Sequence, residues 1–298
     1  MLWALFTIIA AAGQTARNAT QRDLTARIGT AGATYVRFLF GFPFGLGFLA
    51  LALIVTGEPL PNLTVTSFAW ALFGGVMQIL ATGLMLKAMA TRSFVVTTAY
   101  TKTEPVQVAL FGLVFLGDHL TPLLALAILI ATSGVMLLGW PARRPDEITS
   151  PMGKFAPALV GILSGACFAL SAIGYRGAIH ALASGGTWTR ASMILALGLG
   201  LQTALILAYL LLRDRDTLRS ILAAWKPSLA AGLLGAGASQ FWFLGFALTS
   251  AARVRTLALI EVLFAYAISG KVFNERMTRN EKLGLVLVVI GVALSLNA

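Results

Sequence analysis

The chain has 298 residues, of which 58% are hydrophobic and only 11% charged, and its mean hydropathy is +0.86. Soluble domains carry about 25% charged residues, so this composition excludes a soluble globular protein and indicates an integral membrane protein. The net charge of +11 comes from basic residues spread singly over short loops, without a basic arm or interleaved aromatic residues, which argues against nucleic-acid binding.

Ten apolar segments follow one another, each close to the length of about 20 residues that a membrane-spanning helix needs. They lie near 2–21, 31–55, 66–86, 93–116, 121–140, 156–178, 189–212, 228–248, 252–273 and 281–297. Helices are predicted because barrel strands hold only about ten residues. The first segment is interpreted as an uncleaved span, since no positive residues precede it.

The two halves of the chain repeat one another. Glu104 and Glu261 lie 157 residues apart within similar apolar runs, and the same offset relates three further pairs, Asp118 and Glu275, Thr121 and Thr278, and Gly134 and Gly291. Because five spans are an odd number, the second unit starts on the opposite side of the membrane. The sequence therefore predicts an all-α integral membrane protein of ten transmembrane helices in two inverted five-helix repeats, 1–140 and 156–298, joined by a loop at 141–155. Inverted repeats are typical of secondary transporters.

Loop charge predicts the orientation. The loops after the odd-numbered spans carry fourteen of the 22 basic residues, whereas the opposite loops carry three, Arg190, Arg253 and Arg255. The positive-inside rule places the richer side in the cytoplasm. We therefore expect a multi-pass protein of the cell membrane, the inner membrane of a bacterium, with both termini extracytoplasmic.

Polar residues at helical spacing interrupt the first and sixth spans. Gln14, Arg17 and Asn18 form one stripe, and Ser171 and Tyr175 belong to the other. Their spacing predicts two walls of a central substrate cavity. The alternative is that they form hydrogen bonds that hold the helices together.

The fourth span carries Glu104 on one face with Tyr100 and Thr101, while Lys102 is expected to point elsewhere. Pro105 lacks a backbone N–H and clashes with the preceding turn, so a kink near Thr101 is predicted. Glu104 is interpreted as a substrate-binding and proton-coupling residue. The alternative is a carboxylate neutralised by a neighbouring lysine or arginine, Arg17 or Lys102.

The ninth span carries Glu261 among apolar neighbours such as Leu257 and Phe264. Desolvation favours the neutral acid, which suits proton coupling and substrate binding. The alternative is an ion pair with Arg253 or Arg255.

In the eighth span, Gln240 and Trp242 stand in a cluster of aromatic residues that could bind a ligand by stacking or cation–π contact, or simply pack. Asp118 and Glu275 close their helices and are interpreted as structural residues or gate elements.

Two pairs of segments carry a family resemblance. They are TEPVQVALFGLVFLGDHLT followed by LALAILIATSGVMLL, and IEVLFAYAISGKVFNERMT followed by LGLVLVVIGVALSL. These segments resemble the drug/metabolite transporter superfamily, EamA-like branch. Arg37 and Arg190 match the arginine that members often carry near the start of the second and seventh helices. Asp118 stands where the family commonly has Glu, and Val262 replaces the proline that corresponds to Pro105. The resemblance implies the ten-helix transporter fold, without naming a substrate.

Export of a small metabolite or amino acid by alternating access, with proton coupling, is the function expected. The alternatives are an exchanger of acidic or phosphorylated metabolites using Arg17, Lys102, Arg176 and Lys271, and a membrane-embedded lipid-modifying enzyme, for which no catalytic motif is present. Cys167 is the only cysteine, which excludes an internal disulfide, and no metal or nucleotide motif occurs, so neither enzyme activity nor a cofactor is expected. The expected partners are a small-molecule substrate and the lipid bilayer, with the protein a monomer or a homodimer.

Overall fold

The computed structural model describes residues 1–91, 100–138, 151–264 and 279–298, and the regular structure in these residues is helical. The helices are α1 (Leu2–Leu39), α2 (Phe42–Thr56), α3 (Val65–Thr91), α4 (Glu104–Leu116), α5 (Pro122–Leu138), α6 (Pro151–His180), α7 (Thr187–Arg213), α8 (Arg215–Ala223), α9 (Trp225–Leu248), α10 (Ala251–Leu257) and α11 (Arg279–Asn297). A 3₁₀ turn, Ala258–Ile260, follows α10 and leads into a helical turn at 261–264.

Helix α1 reverses direction within its length. Gly29 has φ 73° and ψ 170°, which is a non-helical conformation in the left-handed half of backbone space that favours glycine. The side chain of Gln21 donates to the carbonyl of Ala33 at 2.8 Å. Twelve residues of straight helix would separate these groups by about 18 Å. The contact therefore shows that the chain folds back at Gly29, which makes α1 a hairpin of the first predicted span and the beginning of the second.

The described residues contain five stretches long and apolar enough to cross a membrane, Asp23–Thr56, Val65–Ala88, Leu159–His180, Thr187–Arg213 and Trp225–Leu248, of which the first includes the Gly29 turn. Three shorter apolar helices accompany them. All-helical membrane architecture is thus confirmed. The fourth and ninth predicted spans and the loop at 141–155 lie partly outside the described residues, so the count of ten spans remains a prediction.

One helix was not predicted from the apolar pattern. The short helix α8 begins within the run of acidic and basic residues at 213–216, where the sequence suggested only a loop. Asp214 caps it, because its carboxylate accepts from the backbone N–H of Thr217 at 3.1 Å.

Three helix pairs make the most extensive contacts, α3 with α6, α1 with α9, and α5 with α11. Glycine permits the closest approaches. A methyl group on Gly134 would lie 2.6 Å from the carbonyl oxygen of Gly284, and one on Gly291 would lie 2.6 Å from the backbone nitrogen of Ala131. Helices α5 and α11 therefore touch backbone to backbone.

Four connecting segments lie together at one end of the bundle, which we call the Glu58 end. They are the residues around 57–64, 117–121, 181–186 and 249–250. Arg176 joins two of these segments to α6, since its Nη1 lies 2.6 Å from Asp118 Oδ1 and its Nε donates to the carbonyl of Thr249 at 3.2 Å. The backbone N–H of Asn62 donates to Ser184 Oγ at 2.9 Å. These contacts link the two halves of the chain at this end.

Candidate functional site

Glu104 begins a helix directly after a break. Lys102 and Thr103 form a turn, and α4 starts at Glu104 with Pro105 in its first turn. The hydroxyl of Thr103 donates back to the carbonyl of Tyr100 at 2.9 Å. Proline has no N–H to continue the helical ladder, so an interruption falls where the sequence predicts it. Its consequence is that the carboxylate of Glu104 sits at a helix N-terminus, where the backbone N–H groups favour negative charge.

Glu261 occupies the same kind of position without a proline. The 3₁₀ turn Ala258–Ile260 interrupts the ninth span, and the helical turn that follows starts at Glu261. Both glutamates are buried, with 3% of Glu104 and 5% of Glu261 exposed. A break in the helix therefore precedes each of the two repeated acids, although only one of the breaks has a proline to explain it.

Each glutamate pairs with a cation from the other half of the chain. Lys102 Nζ forms an ion pair with Glu261 Oε1, and Arg255 Nε lies 3.0 Å from Glu104 Oε1. All four side chains are buried. The expectations that Lys102 points elsewhere and that Glu261 is surrounded only by apolar groups are therefore wrong. The turn at Lys102 removes it from the helical register on which the first expectation rested.

Trp242 and Gln14 extend this arrangement. The indole N–H of Trp242 donates to Gln14 Oε1 at 3.2 Å, and Gln14 Nε2 donates to Glu261 Oε2 at 3.0 Å. The guanidinium of Arg255 lies 4.5 Å from the centroid of the Trp242 ring, a cation–π contact. The tryptophan predicted as a possible ligand contact is thus engaged with both ion pairs.

A small cavity lies at the centre of these residues. Its volume is about 20 Å³, and it is lined by Gln14, Arg17, Asn18, Met85, Thr101, Lys102, Glu104, Phe168, Arg255 and Glu261. This volume is enough for about one water molecule and is too small for an organic substrate. The helices around it would have to separate before a metabolite could enter.

Arg17 and Arg37 are buried beside this cluster, each with 2% of its surface exposed. Arg17 donates from Nε and Nη2 to Asn18 Oδ1 at 3.2 and 2.6 Å. Arg37 donates from Nη1 to Thr82 Oγ1 at 3.2 Å, and its guanidinium carbon lies 4.8 Å from the ring centroid of Phe38. Neither arginine has an acidic partner within 4.0 Å in the part of the chain that the structure describes.

The structure brings six of the ten predicted site residues together, Gln14, Arg17, Asn18, Glu104, Trp242 and Glu261. Four lie elsewhere. The hydroxyl of Tyr175 donates to Gln78 Oε1 at 3.3 Å, and Gln240 Nε2 donates to Ser192 Oγ at 2.9 Å. Ser171 is buried against the close approach of α6 to α3, and Tyr100 packs against Gly161. These four residues contact other parts of the bundle and do not line the cavity.

Sequence reasoning named Lys102, Arg255 and Arg37 but did not find their partners in the structure. Lys102 was considered as a partner of Glu104 and as part of an anion site, and Arg37 as a match to the family. A usable signal existed for Lys102, because Pro105 predicts a break and a break changes the direction of the side chains beside it. Arg255 was considered only as a partner on the same helix as Glu261. Lys271 and Glu275 lie outside the described residues.

Comparison with known proteins agrees with this architecture. The EamA-like transporter family matches residues 1–140 and 155–297. No curated protein matches the sequence significantly. One crystal structure aligns over 98% of this chain and 96% of its own, with a TM-score of 0.65 and 15% sequence identity, a likeness that shows the fold alone. With both halves matched, the chain belongs to the EamA-like transporter family, and it is a multi-pass membrane transporter of the drug/metabolite transporter superfamily.

Proposed function

We propose that this transporter exports a small organic metabolite or amino acid by alternating access between two inverted repeats, 1–140 and 156–298. Members of the family are transporters of small molecules rather than enzymes. In the repeat, α1, α3 and α5 of the first half correspond to α6, α9 and α11 of the second. The contact of α3 with α6 then corresponds to the contact of α9 with α1, and the contact of α5 with α11 joins two corresponding helices. This pattern of helix contacts supports the repeat. The loops grouped at the Glu58 end alternate with the others along the chain, as inversion requires.

The observation that carries the proposal is that each of the two buried acids forms an ion pair with a cation of the other half. Lys102 of the first half pairs with Glu261 of the second, and Arg255 of the second half pairs with Glu104 of the first. Breaking a buried ion pair leaves charges uncompensated and is costly. The halves can separate at these ion pairs only when substrate or protons replace the lost partners. Separation of the halves is thereby coupled to binding of substrate or protons.

We infer that substrate binds against this cluster, with Glu104 and Glu261 as the titratable groups and with Gln14, Asn18 and Trp242 as polar and stacking contacts. The carboxylate of Glu261 accepts from both Lys102 and Gln14. Protonation would weaken both contacts at once. Proton entry at Glu261 would therefore release Lys102 and drive the change between the two access states.

In this proposal, the contacts at the Glu58 end form an extracytoplasmic gate. Loop charge favours placing this end outside the cell. There Arg176 holds Asp118, and the loop after α2 bonds to the loop before α7. An exporter in this state holds its outer side closed, and release of substrate outward requires these links to open.

The test is flux in proteoliposomes that contain the full-length protein. A thermal-shift screen against amino acids, organic cations and organophosphates first identifies a compound that binds, and its labelled form is then followed under two opposed pH gradients. Glu261→Gln should keep substrate binding but lose accumulation against a gradient and lose pH dependence. Glu104→Gln should weaken binding.

The matched control is Asp216→Asn, since Asp216 is an exposed acid whose Arg219 partner is also exposed. It should leave flux unchanged. Full gradient-driven flux in Glu261→Gln, with unaltered pH dependence, would reduce Glu261 to a structural ion-pair element and contradict the coupling.

A second candidate is exchange of acidic or phosphorylated metabolites. Of the cations expected to bind such a substrate, Arg176 and Lys102 are paired with Asp118 and Glu261. Arg17, which was also expected to do so, and Arg37 carry the excess buried positive charge that favours this candidate.

A further inference from the structure

The buried charge of the bundle does not balance. Six charged side chains are buried among the described residues, the cations Arg17, Arg37, Lys102 and Arg255 and the anions Glu104 and Glu261. The two anions are each held by one cation, Lys102 or Arg255. Two positive charges therefore remain without a negative partner in this part of the chain.

These two charges cannot be removed by deprotonation under ordinary conditions, because arginine stays protonated in proteins. A guanidinium has five N–H donors. Arg17 uses two of them on Asn18, and Arg37 uses one on Thr82. Both partners are neutral, so they offset little of the cost of burying a charge away from water.

The two arginines pack against the same point of α9. A methyl group on Gly235 would lie 3.4 Å from Arg37 Cβ and 3.5 Å from Arg17 Cδ. Arg17 also lines the central cavity, and both Arg37 and Glu261 act on Arg17 electrostatically. Arg17 Cδ and Arg37 Cβ, on the two arms of the α1 hairpin, thus meet at Gly235, and Arg17 reaches the cavity beside the ion pairs.

The repeat offers a comparison within the same chain. Arg190 matches in the second half the family position that Arg37 matches in the first, and its Nε donates to the carbonyl of Ser184 at 3.2 Å, at the Glu58 end. It is only partly buried. Burial of an arginine at this position is therefore not a requirement of the helix packing that the halves share.

We propose that Arg17 and Arg37 form a binding subsite for an oxyanion group, a carboxylate or a phosphate, of the transported substrate. This inference rests on the proposed transport function and narrows its substrate class to small organic anions. Guanidinium groups bind carboxylate and phosphate oxygens with paired, charge-assisted hydrogen bonds. One dianion, or two monoanionic groups, would balance the two excess charges, whereas a cationic substrate would add to them.

Binding is measured on the purified full-length protein in nanodiscs of phosphatidylcholine. The probes are inorganic phosphate and succinate, with glycerol as the neutral probe and choline as the cationic one. Phosphate or succinate should bind, and glycerol and choline should not. Arg17→Gln and Arg37→Gln should each weaken anion binding on the order of ten-fold or more, the range for a hydrogen bond to a charged group. Arg190→Gln, the matched control, should bind as the unaltered protein does.

A second variant covers the case in which an arginine substitution unfolds the protein. Gly235→Asp brings a carboxylate next to both arginines, and the first side-chain carbon fits there at ordinary contact distance. This variant should keep or raise the thermal stability and lose anion binding. If the arginines were only packing elements, a carboxylate at this point would leave anion binding unchanged.

The nanodisc composition separates substrate from lipid. Repeating the titration with phosphatidylglycerol present should leave phosphate affinity unchanged, and loss of binding there would assign the arginines to a lipid headgroup and overturn the proposal. Equal anion affinity in the unaltered protein and both arginine variants would also overturn it.

The two hypotheses fail separately. Transport of a neutral or cationic compound without anion binding would refute the subsite and leave transport standing. Anion binding that depends on Arg17 and Arg37, in a protein that moves no labelled compound in proteoliposomes, would support the subsite and refute the proposed function.

Discussion

Arg255 and Glu104 belong to opposite halves of the chain, yet Arg255 Nε lies 3.0 Å from Glu104 Oε1 in the buried centre of the bundle. Breaking such a pair on one side leaves a buried charge without a partner. Arg255→Gln should therefore destabilise the protein by about 3–5 kcal/mol. The double variant Arg255→Gln with Glu104→Gln should recover a large part of the loss, because no charge then remains unpaired. Unfolding temperatures measured by scanning fluorimetry should therefore fall in the single variant and recover in the double variant.

The exposed pair of Arg219 and Asp216 provides the control, since solvent screens it. Arg219→Gln should cause no measurable change in the unfolding temperature. Equal losses in the single and double variants of the buried pair would show that Arg255 stabilises the bundle through Trp242 rather than through Glu104.

The contact between α5 and α11 should be sensitive to a single methyl group. Gly291→Ala would place a carbon 2.6 Å from the backbone nitrogen of Ala131, so the helices must move apart. We expect a loss of about 1–3 kcal/mol, the usual cost of overpacking. Gly47→Ala is the matched control, since nothing lies within 4 Å of its added methyl group, and it should be neutral or slightly stabilising. Unfolding temperatures that rank the two variants the other way would refute the close contact.

The Glu58 end should loosen in acid. Glu58 Oε2 accepts from Thr189 Oγ1 at 2.5 Å and from the backbone N–H of Gly186 at 2.8 Å. These two hydrogen bonds, the hydroxyl of Thr189 first, hold the pKa of Glu58 below its ordinary value. A lowered pKa means that the link stabilises the folded state above the ordinary carboxyl pKa, and that this stabilisation is lost as pH falls through the lowered value.

Unfolding temperatures measured between about pH 5 and pH 3, where carboxylates titrate, test this link. Glu58→Gln should make the unfolding temperature depend less steeply on pH over this range, because an amide does not titrate. Thr189→Val should reduce this pH dependence less, since the Gly186 N–H remains. An unchanged pH dependence in Glu58→Gln would show that other carboxylates account for the acid sensitivity.

Orientation can be tested at two exposed positions on opposite ends of the bundle. In a Cys167→Ala background, a cysteine at Pro59, beside the Glu58 end, should react with an impermeant thiol reagent in intact cells. A cysteine at Ser220, in helix α8, should react only after the cells are opened. The reverse labelling would overturn the orientation inferred from loop charge.

Most of the fold was readable from the sequence. Apolar runs of about twenty residues are local features, and in lipid they admit little besides helices. The membrane class therefore followed from composition, and the positions of the described apolar helices followed from the apolar runs in the sequence. The repeat of Glu104 as Glu261 and the family resemblance were visible for the same reason, because they depend on spacing along the chain. The break between the first two spans was expected between residues 21 and 31, and the structure places it at Gly29. The helix α8 was missed, since it depends on a few polar residues rather than on an apolar run.

The partners of the buried charges were decided only by the tertiary structure. Helical spacing shows which residues share a face of one helix, but it does not show which face of another helix lies opposite. Glu261 meets Lys102 because breaks in two spans alter the helical register and because the two halves pack across one another. Arg17 and Arg37 meet at Gly235 because α1 folds back at Gly29 and packs on α9. A carboxylate that sequence alone places among apolar neighbours is therefore ion-paired across the bundle, since burial makes an unpaired charge too costly and packing supplies the partner.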